Sequence, residues 1–298
     1  MLRKTILFDL CHNEMVNFEE DEYSEFLNLL KRMDFKIKKN DSDVLTKKGL
    51  QNIDILVIGN PIDDFFSNIE IRDVCDFVRT GGNLILVSEY GADYLQKTNM
   101  NDLSGMHFGI FFEKNLIKEI NTSDQKASSL IHVNKFESHP ILSGLRDLII
   151  GGACSIYLNK NAKPLLKTTN KSVWSEIYNY STEKWEKEKE GEHLIAAYSE
   201  YGQGKIVAIG DVDIFTNDTS IGITAYDNAK YIQNILKWII EPVKEEKVIS
   251  NIFTQIRDLQ NKLKELTKTV NNIIETMSIL EKRISFLERK ESNNNLKE

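Results

Sequence analysis

Cysteines are few in this sequence, and long apolar segments are missing. The three cysteines, Cys11, Cys75 and Cys154, are an odd number at wide spacing. No Cys-x-x-Cys or Cys/His ligand pattern accompanies them, which argues against a disulfide framework and a structural zinc motif. No run of about 18 apolar residues occurs, so a membrane span is not expected. The first apolar run ends at Asp9, too short for a signal peptide. We therefore expect a cytoplasmic protein with reduced thiols and no membrane partner.

Basic residues are outnumbered, and the charge is unevenly distributed. The chain carries 38 Lys+Arg and 45 Asp+Glu, a net charge of −7. After Pro242 there are 11 Lys+Arg and 9 Asp+Glu, so this segment carries +2 and the preceding residues carry −9. An acidic body repels phosphate backbones. Nucleic acid is therefore not expected as a partner.

Proline and glycine, the two residues that break helices, do not occur after Pro242. In this segment apolar residues alternate at spacings of three and four, which is typical of a coiled coil because one stripe then faces a partner helix. With Ile249 as heptad position a, all six a and all six d positions are apolar. We call these residues the heptad stripe: Ile249, Ile252, Ile256, Leu259, Leu263, Leu266, Val270, Ile273, Met277, Leu280, Ile284 and Leu287.

The residue types in the heptad stripe favour a parallel homodimer. The a positions are mostly β-branched and the d positions mostly leucine, although isoleucine at some d positions leaves a trimer open. Flanking charges are few apart from Arg283 and Glu288, so a different coiled-coil protein stays an alternative partner. A long helix folded back on its own body is the other alternative. We predict a coiled coil over residues 243–290 and a disordered tail over 291–298.

Residues 1–242 alternate between short β-rich runs and helical patterns, which is typical of an α/β domain with a mostly parallel sheet. Ser67 and Glu70 have the spacing of a capping box and predict the start of a helix. The charged run at 182–192 has no periodic pattern and is expected to be a surface loop. Seven strands are predicted, the last two as a hairpin: residues 5–10, 35–37, 53–58, 83–88, 165–168, 194–199 and 205–209.

Several segments of the body together resemble a known family, over most of residues 4–240. They are Ile55–Pro61, Phe77–Asn83, Ser88–Gly91, His139–Leu145, Tyr201–Lys205, and Gly210-Asp211 followed by Asp227-Asn228. Their order is similar to that of the class I glutamine amidotransferase-like superfold, in the branch shared by gliding-motility proteins and the N-terminal domain of intraflagellar transport protein 52. The resemblance implies a flavodoxin-like three-layer sandwich that has mostly lost amidotransferase chemistry, serves in assemblies and binds a small or sugar-like ligand.

The cysteine that active amidotransferases carry at the strand-to-helix elbow is missing here. The corresponding turn, residues 87–91, holds Ser88 instead, and no histidine lies near it in the sequence to act as its base. Cys11-His12 is the pair most typical of an enzyme, but neighbours in an extended segment point to opposite sides. We therefore expect a thiol in a loop, an exposed imidazole and no enzyme activity.

Polar residues that follow the predicted strands form the candidate ligand site, because open α/β sheets bind ligands at the carboxyl ends of their strands. Asp211 and Asp213 could together hold a hard cation, although acidic residues in turns are more often backbone caps. We expect no metal and no cofactor. The candidate residues are Cys11, His12, Asn60, Ser88, Glu89, Tyr90, Asp211, Asp213, Asn217 and Asp227.

These observations predict a non-catalytic scaffold or adaptor. Its α/β domain would bind a protein or a small polar ligand, and its coiled coil would join copies of the chain. Two alternatives stay open: a hydrolase acting on a carbohydrate or amide bond, and a non-catalytic sugar-binding module.

Overall fold

The structure is a computed structural model that describes residues 3–40, 42, 44–120, 126–159, 162–169, 172–243 and 245–295. The chain divides into two compact units, residues 1–244 and residues 245–298. We call the first unit the body. The second unit contains one long helix.

The described part of the body contains strands throughout its length, and the middle of the body is the richest in them. The strands are β1 (Thr5–Asp9), β2 (Lys36–Asn40), β3 (Ile55–Gly59), β4 (Asn83–Val87), β5 (Ile110–Phe112), β6 (Asn115–Ile120), β7 (Ala127–Ser128), β8 (Leu130–Val133), β9 (Leu148–Gly151), β10 (Ile156–Leu158), β11 (Lys163–Lys167), β12 (Val173–Asn179), β13 (Lys184–Glu190), β14 (Leu194–Tyr201) and β15 (Gly204–Ile209).

Helices connect β1 to β2 and β3 to β4. The Ser67 hydroxyl accepts a hydrogen bond from the Glu70 N–H and the Glu70 carboxylate accepts one from the Ser67 N–H, so the predicted capping box is confirmed. The helices are α1 (Ser24–Arg32), α2 (Asn68–Arg79), α3 (Ala92–Gln96), α4 (Met100–Phe108), α5 (Asn228–Ile239) and α6 (Glu245–Asn295), with 3₁₀ turns at Asp21–Tyr23, Pro140–Leu142 and Asp213–Phe215.

Seven strands form the main sheet, in the order β11-β14-β15-β4-β3-β1-β2. The five strands from β15 to β2 run parallel, β14 pairs antiparallel with β15, and β11 pairs antiparallel with β14 and so runs in the direction of the other five. A mixed α/β fold with a large, mostly parallel sheet is therefore confirmed. The hairpin predicted at 194–199 and 205–209 is present as β14 and β15. The other strands form small antiparallel sheets: β10-β5, β13-β12-β6-β7 and β8-β9.

Both faces of the main sheet are buried. Ile6 and Phe8 of β1 lie in one core with Phe26 of α1, whereas Leu7 lies in the other core with Val74 of α2. Successive side chains of a strand point to opposite faces, so a strand covered on both sides is apolar at every position. This is why the central strands are continuous apolar runs in the sequence.

The charged run at 182–192 is not a loop, and the prediction for it was wrong. Residues Lys184–Glu190 form β13, which pairs antiparallel with β12. Trp185 packs against Tyr178 of β12, with ring centroids 5.5 Å apart. Most side chains of β13 are exposed, so its charges remain solvated while its backbone pairs. Tertiary pairing therefore decides the structure of this segment.

The helix α6 is continuous over 51 residues, Glu245–Asn295. At about 1.5 Å per residue it is roughly 75 Å long. Residues 291–295, predicted to be disordered, continue the helix, consistent with the lack of a helix-breaking residue there. Residues 296–298 lie outside the described residues. Among the described residues, no helix combines the length and the apolar character needed to cross a membrane.

Candidate functional site

The carboxyl ends of β1, β3, β4 and β15 lie at one edge of the main sheet, which we call the carboxyl edge. From β1 the chain continues to β2 on one side, while β3 and β4 lie on the other side, so the strand order reverses between β1 and β3. Open α/β sheets bind ligands outside the carboxyl ends of their strands at such a switch point. The residues after β1 and β3 are therefore the expected location of a site.

The turn after β1 brings titratable side chains together. His12 Nδ1 lies 2.7 Å from Asp9 Oδ2, and His12 Nε2 lies 3.2 Å from Glu70 Oε1 at the start of α2. The thiol of Cys11 donates to Asp9 Oδ1 at 3.0 Å, and its Sγ lies 3.3 Å from His12 Nδ1. We call Asp9, Cys11, His12, Glu14 and Glu70 the β1 cluster.

The expectation that Cys11 and His12 point apart was wrong. It assumed extended backbone, but these residues form a turn, which directs both side chains towards Asp9. His12 was expected to be exposed, yet it is buried and its ring packs on Phe66, with centroids 4.1 Å apart. Cys11 is half-buried. The pair is therefore part of a built polar network.

The electrostatics of the β1 cluster favour an ion pair and a protonated thiol. Burial alone would lower the pKa of His12, but the hydrogen bond to Asp9 and the Asp9 and Glu70 charges raise it. Burial alone would raise the pKa of Asp9, but its hydrogen bond with His12 lowers it. Burial and the Asp9 charge raise the pKa of the Cys11 thiol. A nucleophilic cysteine needs a lowered pKa, so this environment does not activate Cys11.

Two further carboxyl groups complete the β1 cluster. Glu14 Oε2 accepts the His12 N–H at 3.1 Å, while Glu14 Oε1 is buried without a hydrogen-bond partner. Burial, followed by the Asp9 charge, raises the pKa of Glu14 to about 9. Glu70 is fixed from the other side, because its two oxygens accept the backbone N–H groups of Ser67 and Leu45, each at 2.9 Å.

Residues 13–18 cover the carboxyl end of β3. The Met15 N–H donates to the Asn60 carbonyl at 3.1 Å, and the Val16 N–H donates to the Gly59 carbonyl at 3.0 Å. A Cβ atom on Gly59 would lie 2.5 Å from Val16 Cβ, so glycine permits this close approach. Asn60 is fully buried, and its Oδ1 has no hydrogen-bond partner. Asn60 therefore lies beneath this segment, not on an open rim.

A second set of carboxyl groups follows β4 and β15, and we call Glu89, Asp211 and Asp213 the β4–β15 cluster. Glu89 Oε2 accepts the Val212 N–H at 3.0 Å. Asp211 Oδ1 accepts the Asp213 N–H at 2.9 Å, and its Oδ2 accepts the Gly151 N–H at 3.4 Å. Burial, followed by the Asp211 charge, raises the pKa of Glu89, and burial, followed by the Asp213 charge, raises that of Asp211. The carboxyl groups of this cluster therefore accept hydrogen bonds from the backbone N–H groups of Gly151, Val212 and Asp213.

Replacing Glu89 with glutamine is expected to flatten the dependence of stability on pH. The folded-state pKa of Glu89 lies above its unfolded value, so its contribution is full below that value and is lost as the pH rises through the folded pKa. The wild-type urea midpoint should therefore fall between about pH 5 and about pH 8, by more than that of Glu89→Gln. Glu186→Gln, at an exposed position of β13, is the control. Equal pH slopes in all three proteins would contradict the expectation.

Ser88 and Tyr90 flank Glu89 but differ in exposure. The Oγ atom of Ser88 is buried without a hydrogen-bond partner, so no base is positioned to take its proton. The Tyr90 ring is partly exposed and lies 6.0 Å, between centroids, from Trp185 of β13. Of these two, Tyr90 is the residue that a ligand at this edge could contact.

Asn217 and Asp227, the other predicted rim residues, bind backbone groups of other segments. Asn217 Oδ1 accepts the Glu25 N–H at 3.0 Å, and its Nδ2 donates to the Asp21 carbonyl at 2.6 Å, which fixes the start of α1. Asp227 Oδ2 accepts the Arg146 N–H at 2.6 Å. Their contacts are those of structural caps.

The sequence did not identify Glu14, Glu70 or Asn40 as members of a site. Asn40, at the end of β2, donates to Asp9 Oδ1 at 3.0 Å and lies 3.4 Å from Cys11 Sγ. Glu70 was recognised only as a capping residue, although its carboxylate also faces His12. Their positions in the sequence could have indicated Glu14 and Asn40, because Glu14 follows β1 closely and Asn40 is the last residue of β2.

A cleft of about 430 Å³ lies at the opposite edge of the main sheet, before β3 and β4 and beside the end of α2. Its lining includes Lys47, Asp73, Phe77 and Arg79. This cleft does not include any of the predicted site residues.

Residues 5–123 match the family model described as the IFT52 GIFT domain. The match confirms the resemblance to the branch that includes the N-terminal domain of intraflagellar transport protein 52. A search among curated proteins finds no match.

Solved structures support the same fold. The structure titled "mmIFT52 N-terminal domain" superposes with a TM-score of 0.64 at 16% sequence identity, covering 79% of this chain and 97% of that one. A cytoplasmic protein from Salmonella typhimurium LT2 gives 0.53 at 14% identity, covering 79% and 99%. Another cytoplasmic protein from Salmonella typhimurium gives 0.52 at 11% identity, covering 81% and 100%.

Proposed function

We propose that this protein is a non-catalytic scaffold or adaptor similar to intraflagellar-transport-type subunits, acting in the cytoplasm. In this proposal the body is a flavodoxin-like, amidotransferase-like domain that binds a protein or a small polar ligand. Helix α6 joins two copies as a parallel coiled coil, with a trimer or a pairing with another coiled-coil protein as the other arrangements.

The exposed heptad stripe on α6 is the observation that carries the proposal. Side chains are described for ten of its twelve residues, and each is between 45% and 66% exposed in the single chain. Leaving one leucine or isoleucine in water forgoes about 1.5–3 kcal/mol of burial free energy. A continuous apolar stripe of this length therefore favours burial against another helix.

Two apolar residues beside the stripe bear on the number of chains. Phe253 and Ile274 occupy e positions and are 68% and 58% exposed. A helix face with apolar residues at positions a, d and e is wider than the face of a and d positions alone that a dimer buries. This width supports the trimer as the second expected assembly.

The hydrolase alternative is supported by one contact and opposed by its electrostatics. Cys11 Sγ and His12 Nδ1 lie 3.3 Å apart, the arrangement that a cysteine nucleophile and its base require. However, burial and the Asp9 carboxylate raise the pKa of the thiol, whereas His12 is held by Asp9 and Glu70. Binding without catalysis is therefore the better-supported role of the body.

Assembly gives such a scaffold its affinity. Joining two bodies turns the second binding event into an intramolecular one, so weak contacts with a partner add up to avidity.

Removing α6 is expected to convert the assembly into monomers. Size-exclusion chromatography with light scattering would compare the full-length chain with residues 1–242. The full-length protein should show two or three times the chain mass of 34.3 kDa, and the truncated protein only its own mass. Circular dichroism of the truncated protein controls for folding of the body. Monomers for both proteins would remove the basis of the proposal.

A further inference from the structure

The donor atoms of the β1 cluster converge as metal ligands do. Within the described residues, Asp9, Cys11 and His12 are the group of three potential ligands whose atoms all lie within 4.8 Å of one another. Ligands of a tetrahedral ion with bonds of about 2.0–2.3 Å lie about 3.3–3.8 Å apart. Here Cys11 Sγ lies 3.3 Å from His12 Nδ1 and 3.0 Å from Asp9 Oδ1. His12 Nδ1 lies 2.7 Å from Asp9 Oδ2, so both contacts of Asp9 must open to admit an ion, while the contact between Cys11 and His12 already has the required length.

Glu14 supplies a fourth ligand and an independent observation. Its side chain is fully buried, its Oε1 has no hydrogen-bond partner, and this oxygen lies 3.8 Å from His12 Nδ1. A buried carboxyl oxygen without a partner is costly. An ion between His12 and Asp9 would give that oxygen the partner it lacks.

The surroundings also resemble the support that metal ligands receive. A histidine that binds a metal through one nitrogen usually donates its other N–H to a carboxylate, which fixes the ring. His12 Nε2 faces Glu70 Oε1 at 3.2 Å, and Glu70 is itself held by backbone N–H groups. The Asn40 amide approaches both Asp9 Oδ1 and Cys11 Sγ.

We propose that Asp9, Cys11, His12 and Glu14 form a binding site for one divalent transition-metal ion of the zinc type. One sulfur, one nitrogen and two carboxylate oxygens suit a borderline ion in a tetrahedral site, whereas magnesium and calcium prefer oxygen ligands alone. Three buried carboxyl groups, Asp9, Glu14 and Glu70, surround a single imidazole, so oxygen donors for an ion are present on several sides of it. Half-buried Cys11 provides the entry path. Metal binding at this site is independent of the coiled coil.

Cobalt(II) and zinc titrations of the full-length protein, stripped of metal with a chelator, test the site. We expect one cobalt ion per chain, with the visible absorption of tetrahedral cobalt and a thiolate-to-cobalt charge-transfer band, and displacement of cobalt by zinc. Cys11→Ser should abolish the charge-transfer band. Cys75→Ser, which removes a buried thiol in α2, should retain it.

Two further variants separate ligation from general damage. Glu70→Gln keeps one acceptor oxygen for the Ser67 N–H of the capping box and loses the one that faces the Leu45 N–H and His12. It should weaken metal binding by about 10–100-fold because it releases the His12 ring, and circular dichroism controls for its folding. Glu14→Gln should weaken binding while the circular dichroism spectrum is unchanged. The proposal is overturned if the wild-type protein binds no cobalt, or if Cys11→Ser and Glu14→Gln bind it as the wild type does.

Discussion

Replacing Leu280 with aspartate is expected to dissociate the assembly, whereas replacing its neighbour Ile279 with aspartate is expected to leave it intact. The two residues are adjacent on α6, apolar, and 50% and 58% exposed in the single chain. Leu280 lies at position d of the heptad stripe and Ile279 at position c, outside it. Only the first substitution would place a charge in the seam of the proposed coiled coil, once in each chain.

The effect of Leu280→Asp should be large. Losing the burial of a leucine costs about 1.5–3 kcal/mol in each chain, before the penalty for the buried carboxylate, so the dissociation constant should rise at least about a hundredfold. Sedimentation equilibrium over a range of protein concentrations measures this change. Circular dichroism should show loss of helix in Leu280→Asp only, because isolated helices are marginal in water. Equal behaviour of the two variants would mean that the heptad stripe is not the interface.

Replacing Gly204 with alanine is expected to destabilise the body by about 3 kcal/mol. A Cβ atom at Gly204, the first residue of β15, would overlap the carbonyl oxygens of Val78 and Gly82. These are backbone atoms at the end of α2 and before β4, so they cannot rotate away as a side chain can. The hairpin of β14 and β15 would have to move away from α2 and β4.

Urea unfolding of the full-length chain, followed by tryptophan fluorescence, measures this loss. Gly49→Ala is the matched control, because its Cβ would lie at an ordinary contact distance of 3.4 Å from Thr46. Its effect should stay within about 0.5 kcal/mol. If Gly204→Ala is as stable as Gly49→Ala, the packing described here between the hairpin and α2 is incorrect.

The central strands could be predicted because their environment dictates their composition. β1, β3, β4 and β15 are covered on both faces and therefore have to be apolar at nearly every position. The start of α2 could be predicted because a capping box is local, with both partners within four residues. Local signals of this kind do not need tertiary structure.

Two segments of the family resemblance form a contact that the sequence alone does not predict. Residues 77–83 and 201–205 occur far apart and were identified as separate motifs. In the structure the Gln203 N–H donates to the Arg79 carbonyl at 3.1 Å, and the Lys205 N–H donates to Asn83 Oδ1 at 3.1 Å. Gly202 and Gly204 are needed because a Cβ atom on either would overlap backbone atoms of residues 78–82. The sequence contains both halves of this contact, but nothing in it pairs them.

The site was the least predictable part. The sequence located the carboxyl edge correctly for Cys11 and His12, since the position follows from the end of β1. It could not show that a turn aims both side chains at Asp9, or that Glu70 approaches from α2. These contacts depend on a turn conformation and on helix packing.

The outer strands of the sheets have a consequence for the proposed assembly of several chains. β2 and β11 end the main sheet, and β13 and β7 end the four-stranded sheet. β2 and β13 are rich in exposed lysine or glutamate, β11 contains Pro164, and β7 has only two residues. Charge, proline and short length each hinder strand addition by another molecule. Bodies that the proposed coiled coil would hold close together would thereby be protected from pairing edge to edge into aggregates.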